Sequence, residues 1–113
     1  MAPDGSEIRL LPPMRGASLC HCTLPPQATS KAVAHRTIEE LWYFLSGHGL
    51  VWRKWGNHEE EVAVDPGVCV TIPAGTHFQF RNTGSQPLCF VIVTIPPWPG
   101  AEEAVRVGDH WPV

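Results

Sequence analysis

The sequence predicts an all-β sandwich or barrel built from many short strands. Three observations carry that expectation. The 113 residues include 12 prolines and 10 glycines, and these fall at intervals along the chain. The runs between them are short and rich in Val, Ile, Leu, Trp and Phe. No stretch sustains the i, i+3, i+4 apolar spacing of an amphipathic helix over three turns. A chain of this length supports one core, so a single domain is expected.

The breaks fall at Pro12-Pro13, Pro25-Pro26, Gly47 to Gly49, Asp65-Pro66-Gly67, Gly84 and Pro96-Pro97. Residues 1–16 read as an N-terminal arm with an edge strand near Glu7–Leu11, residues 17–95 as the body, and residues 96–113 as a Pro- and Trp-rich tail. Strands are expected at about 17–24, 31–36, 39–46, 50–55, 60–64, 68–72, 77–82 and 87–95. In the first of these, Cys20 and Cys22 share a face. In 39–46, Glu40, Trp42 and Phe44 share one face, and Leu41, Tyr43 and Leu45 the other. Both faces are largely apolar, so this strand is expected to be covered on both sides, and a homodimer is the simplest source of the second cover. Arg36, Arg53, Lys54 and Arg81 are expected on a solvated face opposite Glu59–Glu61, with His48, His58 and His110 in solvent. One helical turn is expected at Ala101–Val105.

Composition narrows the function classes. Apolar residues make up 43% and charged residues 17%, the balance of a globular chain. Net charge is -3 and the basic residues are scattered, so there is no stripe to collect phosphates and no nucleic-acid partner is expected. The N-terminus lacks an apolar signal core, and no apolar run approaches the ~18 residues of a membrane span. No membrane association is expected, and the expected location is the cytoplasm, with Cys20, Cys22, Cys69 and Cys89 as thiols. Cysteines at such positions pack cores as small hydrophobes, although Cys20, Cys22 and Cys89 offer an alternative zinc cluster.

Phosphate loops, nucleophile elbows and zinc-helix motifs are missing. The candidate chemistry lies in His35, Glu40, His77, His21 and five tryptophans. In AHRTIEELWYFLSG, His35 precedes Glu40 by five residues and Gly47 follows seven later. In GVCVTIPAGTHFQFRN, Gly67 is followed by Pro73, Gly75 and Asn82. With these spacings the sequence resembles the cupin family, whose motifs are G-x5-H-x-H-x3-4-E-x6-G and G-x5-P-x-G-x2-H-x3-N. The resemblance covers about residues 27–95 and implies a double-stranded β-helix, a jelly-roll barrel of two antiparallel sheets, commonly dimeric.

The resemblance also implies a site. In metal-binding cupins, two His and a Glu from the first motif and a His from the second point into the barrel and hold Fe, Mn, Zn, Ni or Cu. Here those positions carry Val33, His35, Glu40 and Phe78, and the leading Gly is Gln27. Two of four ligands are apolar. A metal would need a third ligand, from His77 through a β-bulge near Gly75 or from His21. Without one, no tightly bound cofactor is expected. Regular strand geometry instead gives a pocket lined by Trp42, Phe44, Phe78, Phe80, Asn82 and Trp98, with Trp52 or Trp55 extending it and His35 and Glu40 as its convergent polar groups.

Three readings follow. A small cupin-like protein binds a metabolite and moves protons on it, as an isomerase, cyclase or lyase does, with His35 and Glu40 as the acid–base pair. Alternatively, a dioxygenase or isomerase uses Fe, Mn, Ni or Zn on His35, Glu40 and His77. A third reading is a ligand-binding or sensing module without catalysis. Against all three, His35 and Glu40 pair as an inert core contact and the aromatic residues only fill space.

Overall fold

In the computed structural model, which describes residues 2 and 4–113, each apolar run forms a strand. In chain order these are β1 (Glu7–Leu10), β2 (Ser18–Leu24), β3 (Val33–His35), β4 (Glu39–Ser46) and β5 (Gly49–Trp55). Then come β6 (His58–Val64), β7 (Cys69–Ile72), β8 (His77–Asn82), β9 (Leu88–Ile95), a 3₁₀ turn at Ala101–Glu103, and β10 (Ala104–Arg106). The last strand lies in the tail and was not expected from its Pro-rich sequence. Two antiparallel five-stranded sheets result, with orders β1-β2-β9-β4-β7 and β10-β3-β8-β5-β6. This is the expected jelly roll. The sheets stay separate rather than closing through a continuous ladder.

Turn chemistry sets the breaks. Gly47 joins β4 to β5 at φ 87°, and a side chain there would bring its Cβ within 2.5 Å of the Pro87 carbonyl oxygen. Only glycine fits. Gln27 stands where the cupin motif has glycine, and its φ of 64° lies in the same left-handed region. Its side-chain amide donates to the Gly84 carbonyl at 2.8 Å, a contact that helps offset the strain.

The core lies between the sheets and is centred on Trp42. Its ring meets Phe78 edge-on at 5.1 Å and Phe80 at 5.3 Å, and tilts against Phe90 at 4.8 Å. Phe44 stacks on Phe90 at 4.5 Å. Cys20, Cys22, Leu24, Val33 and Ile92 fill the remaining inner face.

The outer faces differ. On the second sheet the tail folds back over Gln79, which is fully buried. Gln79 Oε1 accepts from the backbone N–H of His110 and Trp111, and its Nε2 donates to the carbonyls of Ser30 and Trp111. The His110 ring stacks on Trp52 at 5.0 Å and its Nε2 lies 2.7 Å from Glu61 Oε2. Trp52 therefore lies outside the barrel instead of extending the pocket, and His110 packs on it. Arg53 pairs with Glu60 as expected, but Arg81 lies under the Trp111 ring at 5.4 Å. The outer face of the first sheet is bare within this chain: Leu41, Tyr43 and Leu45 are 42%, 49% and 44% exposed.

Gln79→Ala removes all four bonds, three of them to the tail. It should cost about 2–4 kcal/mol, lower Tm, and speed amide exchange at His110 and Trp111 ahead of the sheets. Unchanged exchange there would show that Gln79 does not hold the tail in place.

Candidate functional site

Strand register decides which side chains meet. β3 and β8 pair Val33 with Phe78 and Ala34 with His77, and β8 runs against β5 from Asn82 to His77. Phe78 and Phe80 point inward, so His77, opposite Ala34 and Lys54, points out. The break in register falls between Phe44 and Ser46, where β4 meets β9, and not near Gly75. The proposed re-aiming of His77 does not occur. His21 is also outward: it pairs with Arg9 and Val91, and its Nδ1 is 3.5 Å from Thr23 Oγ1. Cys89 lies opposite Thr23 on that outer face, away from Cys20 and Cys22, so the three cysteines do not cluster.

His35 and Glu40 face inward into a cavity of about 510 Å³, joined on its walls by Trp42, Phe78, Phe80 and Trp98. The arm, through Ile8 and Leu10, and the Pro97-Trp98 segment add to its wall. Two expected residues do not line it. Phe44 packs deeper, on Phe90. Asn82 is structural: its Nδ2 donates to the Leu24 and Gln86 carbonyls, and its Oδ1 accepts from Gly84 N. Three polar wall residues were not anticipated, Ser18, Thr94 and Asp4. Thr94 was readable from alternation in β9, where Leu88, Phe90, Ile92 and Thr94 share a face. Asp4 had only a turn signal, Asp-Gly-Ser, and no signal for where the arm would fold.

Glu40 is held at both oxygens. Oε1 accepts from Trp42 Nε1 at 2.9 Å and Oε2 from Thr94 Oγ1 at 3.1 Å. His35 Nδ1 lies 3.7 Å from Glu40 Oε1, too long for a hydrogen bond, and has no partner among the described residues. The imidazole is held instead by rings, edge-on to Phe78 at 5.0 Å and to Trp98 at 5.5 Å. The turn between the two residues is stapled by Glu103 from the tail. Its carboxylate accepts from Thr37 Oγ1 at 2.7 Å and Ile38 N at 3.1 Å.

Burial separates the two groups in charge. It pushes the Glu40 carboxyl up to about 7, against the hydrogen bonds from Trp42 and Thr94, with the charges of Asp4 and Glu103 adding to the rise. It pushes His35 down to about 4, against an opposing pull from Glu103. The Cys20 thiol is raised to about 12, chiefly by burial, so it is a neutral wall group. At neutral pH the site holds a neutral imidazole beside a carboxyl near its midpoint.

These residues do not fit the metal that the fold family implies. The cavity offers one imidazole and one carboxylate at the motif positions, the other two being Val33 and Phe78. Among the described residues, no group of three or more His, Cys, Asp or Glu is placed to hold an ion.

Fold and site together define a two-sheet jelly roll with a metabolite-sized cavity between the sheets. Residues 20–94 match the family described as a cupin domain, and the chain belongs to the cupin family. An uncharacterized protein of Methanocaldococcus jannaschii is 33% identical over 100 residues, covering 84% of this chain and 77% of that one. A Klebsiella pneumoniae protein with a double-stranded β-helix domain superposes with a TM-score of 0.74 at 16% identity, covering 96% of this chain and 90% of that one. Oxalate decarboxylase from Bacillus subtilis superposes with a TM-score of 0.80 at 15% identity, over 95% of this chain but 28% of that one. These two structural likenesses concern the fold alone.

The paired shifts give a pH prediction with a definite sign. Glu40, raised from 4.5 to about 7, binds protons more readily when folded, so its contribution to stability is present below 4.5 and lost as pH rises to about 7. His35, lowered from 6.5 to about 4, contributes stability above 6.5 that is lost as pH falls to about 4. Between about 4.5 and 6.5 the two oppose each other. Glu40→Gln should therefore unmask the His35 slope, with urea midpoints rising from pH 4.5 to 6.5 more steeply than in the parent. Parallel curves for parent and variant would contradict the Glu40 assignment.

Proposed function

We propose that this cupin binds a small metabolite in its cavity and transfers a proton on it, in an isomerisation, cyclisation or elimination. Glu40 is the group that exchanges the proton. The observation that carries this reading is a buried carboxyl beside a buried imidazole in an aromatic-walled cavity, where burial pushes the carboxyl up to about 7. A proton-exchanging group works best when its pKa matches the working pH. Glu40 meets that condition, whereas His35 does not. In this reading the expected acid–base pair takes unequal roles: Glu40 moves the proton, and neutral His35 helps position the ligand from the cavity wall.

The decarboxylase neighbour is named for oxalate, a dianion. No Lys or Arg lines the cavity among the described residues, so an oxalate-like substrate is not part of this reading.

The direct test uses deuterium. Candidate metabolites incubated with the protein in heavy water should exchange an acidic C–H, read by NMR. Glu40→Gln should slow that exchange by ~100-fold or more, the usual size of a general acid–base contribution. His35→Ala should raise KM more than it lowers kcat. Exchange that survives Glu40→Gln removes Glu40 from the chemistry. Binding without any exchange supports a sensing module instead.

The same reading includes a homodimer. Leu19, Val93 and Leu41 lie side by side across β2, β9 and β4, and Val91 lies beside Tyr43 on the same outer face. No helix of the described residues is long and apolar enough to cross a membrane. The four cysteines are free, which supports a reducing compartment such as the cytoplasm. Light scattering should give a dimer at micromolar concentration, and Leu41→Glu with Tyr43→Glu should give a folded monomer. A monomeric parent chain would overturn this part of the reading.

A further inference from the structure

The cavity is one-sided in charge. Its second carboxyl comes from the N-terminal arm, which several bonds fix in place. Ala2 N donates to the Ser6 carbonyl at 2.8 Å, and Lys31 N to the Asp4 carbonyl at 2.6 Å. Ser6, fully buried, donates to Asp4 Oδ1 from its N–H at 2.9 Å and from its Oγ at 2.6 Å. Both bonds use Oδ1. Among the described residues, no hydrogen bond engages Oδ2, and Asp4 lines the cavity with Glu40.

Two acids in one partly apolar cavity repel each other. Burial raises the Asp4 carboxyl above its ordinary range, and its charge in turn helps raise Glu40. Nothing on the described wall balances them, since the remaining polar residues are neutral. His35, only 4% exposed, adds a nitrogen with no partner among the described residues. The rest of the wall includes the faces or edges of four large rings.

We propose that the cavity takes a ligand with a protonated amine at one end and an apolar or aromatic body at the other, the ammonium held by Asp4 and Glu40. This deepens the small-metabolite reading and rests on it. An alkylammonium has three donors and no acceptor, which suits a wall whose open positions are carboxylate lone pairs. Its charge offsets the repulsion between the two acids, and Trp42, Phe78, Phe80 and Trp98 attract a cation through their ring quadrupoles as well as covering its carbon skeleton. A cavity of about 510 Å³ suits a small arylalkylamine.

Three probes of similar size separate the possibilities: phenethylamine, phenethyl alcohol and phenylacetate, titrated calorimetrically into the full chain. The amine should bind about tenfold more tightly than the alcohol, the scale of one charge-assisted hydrogen bond, and phenylacetate should bind worst. Asp4→Asn keeps the Oδ1 acceptor that Ser6 uses. It should lose about tenfold in amine affinity while keeping the alcohol affinity, which also reports that the cavity is intact. Equal binding of amine and alcohol, or a lead for phenylacetate, overturns the amine inference and leaves the cavity reading standing. An amine preference that survives Asp4→Asn overturns the role of Asp4. If none of the three binds at millimolar concentration, both the amine inference and the cavity reading fail.

Discussion

The structure depends on one constraint, the two-residue period of strands locked in antiparallel register. The pairs Val33–Phe78 and Ala34–His77 fix the phase of β3 and β8 together. A slip of one residue would bring His77 into the cavity and turn Phe78 and Phe80 out to the tail. The core resists that slip. Trp42 touches both phenylalanines, and on the other face Gln79 is tied to the tail by three bonds and to Ser30 by a fourth. The same register that builds the core therefore denies the site a second imidazole.

At the motif positions what remains is two polar groups in a largely apolar setting. Burying them opposes their charged forms, and the structure answers this unequally. Glu40 is satisfied by two donors, while His35 is wedged between rings with a nitrogen left over. The 3.7 Å between them is too long for a hydrogen bond, so they do not form a closed pair. A closed pair would have been an inert core feature. The tail maintains the gap, since Glu103 staples the turn that sets the spacing between the two residues.

Much of this was legible in the sequence. Fixed spacings from Gly67 to Asn82 and from His35 to Gly47 carried the fold, because left-handed turns and strand lengths depend on local residues. Alternation correctly placed Glu40, Trp42 and Phe78 on inner faces. It failed where position along the cavity mattered more than facing. Phe44 and Asn82 face inward but lie too deep to line the cavity, and depth has no sequence period. Asp4 and the tail were illegible for another reason. Both act at long range, with Asp4 anchored by Lys31 and Gln79 gripping residues 31 and 32 positions away, and no local propensity records such contacts.

The central claim is that Glu40 and His35 are desolvated, unpaired with each other and of opposite tendency. Site-resolved NMR titration tests it most directly, following the Glu40 side-chain carboxyl carbon and the His35 ring nitrogens in the same sample. The account predicts a Glu40 midpoint near 7 and a His35 ring that stays neutral down to about pH 4. A Glu40 midpoint near 4.5 with a His35 midpoint at or above 6.5 would mean a solvated or mutually paired couple, and would contradict it.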